Sequence, residues 1–466
     1  MTTTTSGHGW PTPPRSGWAR TWVWLSVALV GVLAAACGGS SSGPATSSVS
    51  TIAPGSPWLG GLTAVTLPSP VNSLDAVDCV TPLRCWAVGS TVGTAGAPNG
   101  AAVVSTTDGG ATWAIETVPA TVGYLSAISC SDLRHCIAVG QATQTSNGQG
   151  AIIVTTDGGA TWTPATVPVG ALDVTAVACQ PDRHCLAMAT TAAGTVARVT
   201  APAQPTWVQR GTLPPPLGGA TGISCPDRLD CWVTAPAEVN VDHVAGEVAV
   251  TTDGGTTWSI TAAPAGAGYL NDIVCTRRSS GQGGLPFTST TTPVTTAPVT
   301  TTPVTTAPVT ATAQPGVTSA PTTTVPPTTV PPPSTTSTTA PAGVPGAWCV
   351  TVGTSAATVT GTRTGHGVIL TTVDGGARWS AQKVTPTAAA LLGVSCTAVD
   401  SCVAVGSAVG LEPQAGVAVL TGPTGHPWTR SAAVFAPQAL TAVSCTSTSH
   451  CLMVGESISE HLVGGG

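Results

Sequence analysis

The stretch Leu125-Ser-Ala-Ile-Ser-Cys130-Ser-Asp-Leu-Arg-His-Cys136-Ile-Ala-Val-Gly140, with Ala151-Ile-Ile-Val-Thr-Thr-Asp157-Gly-Gly-Ala-Thr-Trp162 after it, decides the fold. Apolar and small polar residues alternate on both sides of the cysteines, which is the pattern of strands. The cysteine pair therefore closes a hairpin. A third strand, a glycine turn and a tryptophan follow. The same five-residue spacing between cysteines recurs at Cys79 and Cys85, Cys179 and Cys185, Cys225 and Cys231, Cys396 and Cys402, and Cys445 and Cys451. A seventh pair is split: Cys275 ends Tyr269-Leu-Asn-Asp-Ile-Val-Cys275 like its siblings, but Cys349 follows only after a long insertion. The 15 cysteines thus resolve into seven pairs plus Cys37. A repeat overrides length as a guide to domain count, and repeated strand units of this size define a ring or an array.

Composition agrees with an all-β chain. Only 7% of the 466 residues are Asp, Glu, Lys or Arg, against a usual share of about a quarter. Small and β-branched residues punctuated by Gly and Pro favour short strands and tight turns. The net charge of −6 carries no basic stripe, which excludes a nucleic-acid partner. Residues 1–36 bear Arg15 and Arg20, no acid, and the apolar run Trp22 to Ala36. That run is short for a membrane span and has the layout of a secretory signal. It ends in Leu33-Ala-Ala-Ala-Cys37-Gly-Gly, which resembles a bacterial lipoprotein signal whose cysteine is lipidated, although the leucine stands four places before Cys37 instead of three. An ordinary cleaved signal and an uncleaved anchor are the alternatives. All three send the remainder outside the cytoplasm.

In an exported chain, cysteine pairs at fixed spacing read as disulfides. Zinc competes through His135, His184 and His450, each directly before a second cysteine, but a unit supplies at most three ligands. No metal or cofactor is expected. Cross-linking a short hairpin stabilises it by roughly 2 kcal/mol, and joining Cys275 to Cys349 by roughly 4 to 5 kcal/mol.

The turn at Asp157 ending in Trp162 has equivalents at Asp108 with Trp113, Asp253 with Trp258, and Asp374 with Trp379. These segments resemble the Asp-box, or bacterial neuraminidase repeat, Ser/Thr-x-Asp-x-Gly-x-x-Trp. The chemistry suits a structural turn: a carboxylate accepting backbone N–H bonds, glycines at positive φ, and a tryptophan packed between sheets. Two degenerate copies, Thr200 to Trp207 and Thr421 to Trp428, place Pro202 and Pro423 where the aspartate belongs. A seventh tryptophan is Trp58, upstream of the first cysteine pair, while the last unit stops without one. Circular closure reconciles the two, with Trp58 to Leu67 as the outer strand of the unit begun by Leu440 to Val454. The expected fold is an all-β, seven-bladed β-propeller of four-stranded blades.

The domain reading is 1–36 signal, 37–57 flexible tether, 58–275 the first four blades with the closing strand and the first strand of the fifth, 276–348 insertion, and 349–466 the rest. The insertion is rich in Thr and Pro, cannot bury a core, and reads as an extended stalk, O-glycosylated or plainly solvated. A tether over 38–56 reaches roughly 25 Å.

If strands alternate up and down, the cysteine turns and the Asp turns share one face and leave the other free. Close to that free mouth, four residues before each first cysteine, stand Asp75, Ser126, Thr175, Thr221, Asn271, Leu392 and Thr441. This mostly polar ring is the candidate ligand mouth, with Tyr124, Tyr269 and the loop of Glu238, Asp242 and His243 near it. Channel water and loop contacts are the alternative role for the same groups.

From Trp58 to about Val454, less the insertion, the units resemble propellers of the photosystem II assembly-factor type, whose repeat has a Leu-x-x-Val strand, an Ala-Val-Gly strand and a Thr-x-Asp-Gly-Gly-x-Thr-Trp turn. That resemblance implies a non-enzymatic platform for other proteins. The cysteine pair departs from the family pattern, and its basic patch is absent. Sialidases share the box but need an arginine triad, a tyrosine nucleophile and an acid. Arg84, Arg134, Arg183 and Arg228 instead lie within cysteine turns. The reading is therefore a monomeric extracytoplasmic binding or scaffold protein without catalytic residues, engaging an unidentified protein partner and the membrane through its lipid. A carbohydrate or cell-wall binding module is the alternative, and a sialidase-like hydrolase a more distant one.

Overall fold

Each cysteine pair fixes the register of the hairpin that it closes. Val122–Cys130 pairs antiparallel with Cys136–Ala142 so that Cys130 stands opposite Cys136, and the two are bonded. The same registration and bond occur at Cys79 with Cys85, Cys179 with Cys185, Cys275 with Cys349, Cys396 with Cys402 and Cys445 with Cys451. Cys225 and Cys231 are also bonded.

The computed structural model describes residues 48–456 except 53–61, 94–98, 144–148, 168, 193, 201–206, 216, 241–242, 265, 278–342, 356–365, 386–387, 400, 409–415, 421–427, 435–438 and 448. The signal segment, Cys37, Trp58, Pro202, Pro423 and most of the insertion lie outside the described residues. Every described element is a strand, and no described helix is long and apolar enough to cross a membrane.

After its hairpin the representative unit adds Gly150–Thr155 and the two-residue outer strand Thr163–Pro164. Four-stranded meanders of this kind run from Ala171–Cys179 to Trp207–Thr212, from Gly222–Ser224 to Ser259–Ala262, and from Ala267–Arg277 to Ser380–Gln382. The sheet Ala388–Ala398 to Trp428–Val434 gains Val384–Thr385 as a parallel edge strand. Val71–Cys79 to Ala114–Ile115 forms another meander, joined by a single pair, Glu456 with Ser73, to the strands from the two chain ends. Each first strand contacts the first strand of the next sheet, and Ala439–Ser447 returns to Val71–Cys79. The ring is closed, and the fold is a β-propeller. Its core consists of apolar clusters between successive sheets, such as Trp86, Val88 and Val103 against Leu125, Ile153 and Trp162.

Two boundaries differ from the sequence reading. Leu62–Thr66 is the outermost strand of the sheet begun by Ala439–Ser447 and His450–Glu456, but Ser48–Ile52 lies between them as a third strand. The tether expected over 37–57 therefore gives up residues 48–52 to the sheet. Its Ser-Val-Ser-Thr-Ile sequence is β-branched and alternating, a signal hidden by the Gly and Ser around it. The insertion expected over 276–348 is likewise shorter at both ends. Thr276 pairs with Trp348 and Arg277 with Ala347, and Val344, Ala347 and Trp348 are buried in the blade core.

These boundaries predict two outcomes by thermal or chemical melting. Replacing residues 278–342 with a six-residue Gly/Ser linker leaves stability equal or slightly higher, because loop-closure cost grows only with the logarithm of length. Trp348→Ala lowers it by about 3 to 5 kcal/mol, as expected for emptying a buried aromatic site.

Candidate functional site

The register of the first strands explains the polar ring. In the hairpin of Val122–Cys130 the pairing jumps from Leu125 with Gly140 to Ala127 with Val139, so Ser126 is the extra residue of a bulge. Asp75, Thr175, Asn271, Leu392 and Thr441 are skipped in the same way. A bulge re-aims a side chain, and here these residues, with Thr221, line one axial cavity of about 360 Å³. Ala76, Ala127, Ala176 and Asp272 continue its wall, which reaches as far as Cys179 and Cys225. The glycine of the Ala-Val-Gly strand packs against the backbone of the first strand, although Ala189 holds the equivalent place beside the Thr175 bulge. A Cβ on Gly140 would lie 2.2 Å from the carbonyl oxygen of Tyr124, and one on Gly353 would lie 1.9 Å from that of Tyr269.

Most of the ring is committed to the frame. Ser126 Oγ donates to Val174 O at 3.3 Å, Thr221 Oγ1 to Leu270 O at 2.6 Å, Asn271 Nδ2 to Leu391 O at 2.7 Å and Thr441 Oγ1 to Leu74 O at 2.7 Å. Each bond crosses to the next sheet. A second belt lies three residues further on. Cys79 N donates to Ser444 Oγ, Cys130 N to Asp78 Oδ2, Cys179 N to Ser129 Oγ, Cys275 N to Ser224 Oγ and Cys445 N to Ser395 Oγ, all at 2.7 to 3.0 Å. Where Ala178 offers no oxygen, Gln180 Nε2 donates to Asp227 O instead. Where Val274 offers none, Asp272 Oδ2 accepts Val394 N at 2.9 Å.

The tyrosines do not line the cavity. Tyr124 donates to Asp173 Oδ2 at 2.8 Å, with burial first and the Asp173 carboxylate second in raising its phenol pKa. Tyr269 is 37% exposed on the surface. The side chains of Glu238 and His243, and all of Asp242, lie outside the described residues. Sequence reasoning missed Asp272, Asp78 and Glu116. Glu116 accepts Trp162 Nε1 at 2.5 Å. Asp78 stands directly before Cys79, where Ser129, Ser224, Ser395 and Ser444 stand in other units, a signal that could have found it, whereas Asp272 lies one residue past its ring position.

On the opposite face the four Asp turns share one geometry. Asp157 Oδ1 accepts Thr161 N at 2.9 Å and Thr155 Oγ1 at 2.8 Å, and Asp108, Asp253 and Asp374 each accept the same pair of bonds within 0.1 Å. Gly158 and Gly159 take φ of 77° and 92°. Gly158 N donates to Arg134 O at 3.0 Å, which fastens the Asp turn to its own cysteine turn on one face. Trp113, Trp162 and Trp379 are buried, and Trp258 is partly so. Arg183 with Asp132, Arg228 with Asp182, and Arg277 with Asp227 and Asp230 pair neighbouring cysteine turns. No group of three or more His, Cys, Asp or Glu among the described residues is arranged to hold a metal.

No protein-family model matches the chain, and no curated protein does. Among solved structures, a GH74 enzyme of Niastella koreensis is similar with a TM-score of 0.51 and 10% identity, over 88% of this chain and 53% of that one. The chain thus spans about half the length of that enzyme, and the likeness shows the fold alone. YCF48 bound to a D1 peptide aligns at a TM-score of 0.49, 10% identity, 86% of this chain and 93% of that one. The WD40 β-propeller domain of Doa1 aligns at 0.45 and 7%, over 84% and 96%.

The carboxyls separate into two groups. Burial pushes Asp78 and Asp272 up from 3.8 to about 6, only partly offset by the backbone N–H bonds that they accept. The Thr112 hydroxyl and N–H hold Asp108 at about 2, and those of Thr161 do the same for Asp157. Between pH 4 and 6 the folded ring binds more protons than the unfolded chain, so Asp78 and Asp272 make stability fall as pH rises through that window. Between pH 4 and 2 it binds fewer, so Asp108 and Asp157 make stability fall as pH drops. Melting temperature is therefore expected to peak near pH 4. In Asp78→Asn the loss between pH 4 and 6 shrinks relative to the parent; an unchanged slope there would refute the assignment.

Proposed function

We propose that the chain is a non-enzymatic binding ring of seven four-stranded blades, exported and held to the membrane by a lipid on Cys37, which engages a protein partner over the mouth of the axial cavity. Seven disulfides suit an oxidising compartment outside the cytoplasm. Seven units follow from dividing the eight-stranded sheet at its single Glu456–Ser73 pair into two blades beside the other five sheets. The Asp turns are structural Asp-boxes in this reading, because four copies with the same hydrogen bonds serve a repeating need.

The observation that carries the binding reading is the axial cavity itself. Its hydroxyls donate to backbone carbonyls, whereas an activated nucleophile gives its proton to a neighbouring base. No aromatic side chain stands among the lining residues, which disfavours the glycan-binding alternative.

Immobilised mature chain and an Ala127→Trp variant, which fills the cavity wall, are compared for capture from envelope extract. The parent retains a specific protein that the variant loses at unchanged melting temperature, and Cys37→Ser moves the chain from the membrane fraction to the soluble one. Equal capture by both forms, or hydrolysis of envelope glycans by the purified ring, overturns the reading.

A further inference from the structure

The polar ring of the axial cavity offers hydrogen-bond acceptors with few donors to match them, while Ser129 and Ser224, further along the wall, accept Cys179 N and Cys275 N and keep their own protons. A hydroxyl has one proton and two lone pairs. Ser126, Thr221 and Thr441 give that proton to carbonyls of the neighbouring sheet, and Asn271 spends Nδ2 there too, which leaves its Oδ1. Thr175 Oγ1 is aimed at Met188 O at 3.5 Å. What these side chains still present to the cavity is lone pairs.

Asp75 and Asp272 add charge to this belt, whatever hydrogen bonds they already accept. No Lys, Arg or His stands among the lining residues. Asp75 and the ring hydroxyls are partly exposed, so solvent reaches them. The volume of about 360 Å³ falls in the range of roughly 300 to 1,000 Å³ usual for small-molecule sites.

We propose that the cavity binds a primary ammonium group, supplied either by a lysine side chain of a partner protein or by a free aliphatic diamine. An ammonium carries one positive charge, three N–H donors and no lone pair, the complement of a wall made of acceptors. A guanidinium suits one carboxylate gripped by a planar fork, whereas here the acceptors come from separate sheets around an axis. Leu392 is the one apolar member of the ring, so a threonine there extends the belt without removing a bond. The inference rests on the binding-ring reading in taking this cavity as the occupied site.

Calorimetry on the mature chain at low salt uses 1,5-diaminopentane, 1,5-pentanediol, the hexamethylated bis-quaternary form of the diamine, a blocked lysine peptide with its acetylated counterpart, and potassium and calcium chlorides. The diamine and the lysine peptide bind saturably, while the diol, the acetylated peptide and the quaternary form bind at least about tenfold more weakly, the scale of a hydrogen bond to a charged group. Tighter binding of the peptide assigns the group to a partner, and tighter binding of the diamine to a free amine. Asp75→Asn weakens the amine about tenfold, and Leu392→Thr holds or improves its affinity. Equal binding of the diol or quaternary form, binding of a metal ion in place of the amine, or an Asp75→Asn variant with parental melting temperature and affinity within twofold overturns the inference. If Asp75→Asn does not fold, the diamine against its quaternary form decides. Capture of a protein partner that Ala127→Trp blocks, with no amine binding, overturns this inference alone.

Discussion

One extra residue, present in six of the first strands, governs the rest of the propeller. The bulge lies four places before the first cysteine, and the disulfide fixes the register that creates it. Because the pairing skips this residue, its side chain leaves the sheet's ordinary alternation and reaches the axis. Two residues before it a carbonyl comes close to the second strand, where Gly89, Gly140, Gly353, Gly406 and Gly455 leave room and Ala189 holds the equivalent place in one unit. A methyl group at Gly140 would press on backbone, which has no rotamer with which to move away.

The ring is held by terms of different size. Apolar contacts between sheets dominate, since each fully buried Leu, Ile or Val contributes roughly 1.5 to 3 kcal/mol, and Leu74, Leu125, Leu270, Leu391 and Leu440 are all fully buried. Such contacts are not directional. The two belts of hydrogen bonds contribute about 0.5 to 1.5 kcal/mol per bond net, but they specify which residue of one first strand meets which residue of the next. The arginine pairs between cysteine turns rank last. With Arg183 and Arg228 half exposed, each is worth about 0 to 1 kcal/mol. Arg277 is the exception, because it covers Asp230, which is buried.

Much of this was legible in the sequence because repetition exposes what a single copy hides. Cysteine spacing placed each hairpin, and alternation around Leu125 and Ala138 placed its strands. Counting back four residues from each first cysteine assembled the residues of the axial cavity without coordinates. The role of those residues was less visible. A threonine written in a sequence does not disclose whether its proton goes to Leu270 O or to a ligand, since that depends on a sheet some fifty residues away. Ser48–Ile52 was missed for a related reason: its partner, His450–Glu456, lies at the other end of the chain. Asp272 escaped notice because its use follows from the absence of a hydroxyl at Val274, and compensation across an interface leaves no local pattern.

The strand Ser48–Ile52 also orients the ring. His450–Glu456 runs from the cysteine turn toward the cavity mouth, and Ser48–Ile52 pairs with it antiparallel, with Ser50 opposite Met453. The chain before Ser48 therefore joins the sheet at the mouth end. Ten residues, 38–47, separate Cys37 from that strand in the sequence. The insertion leaves the ring between Arg277 and Gly343, at a cysteine turn, and so departs from the other face.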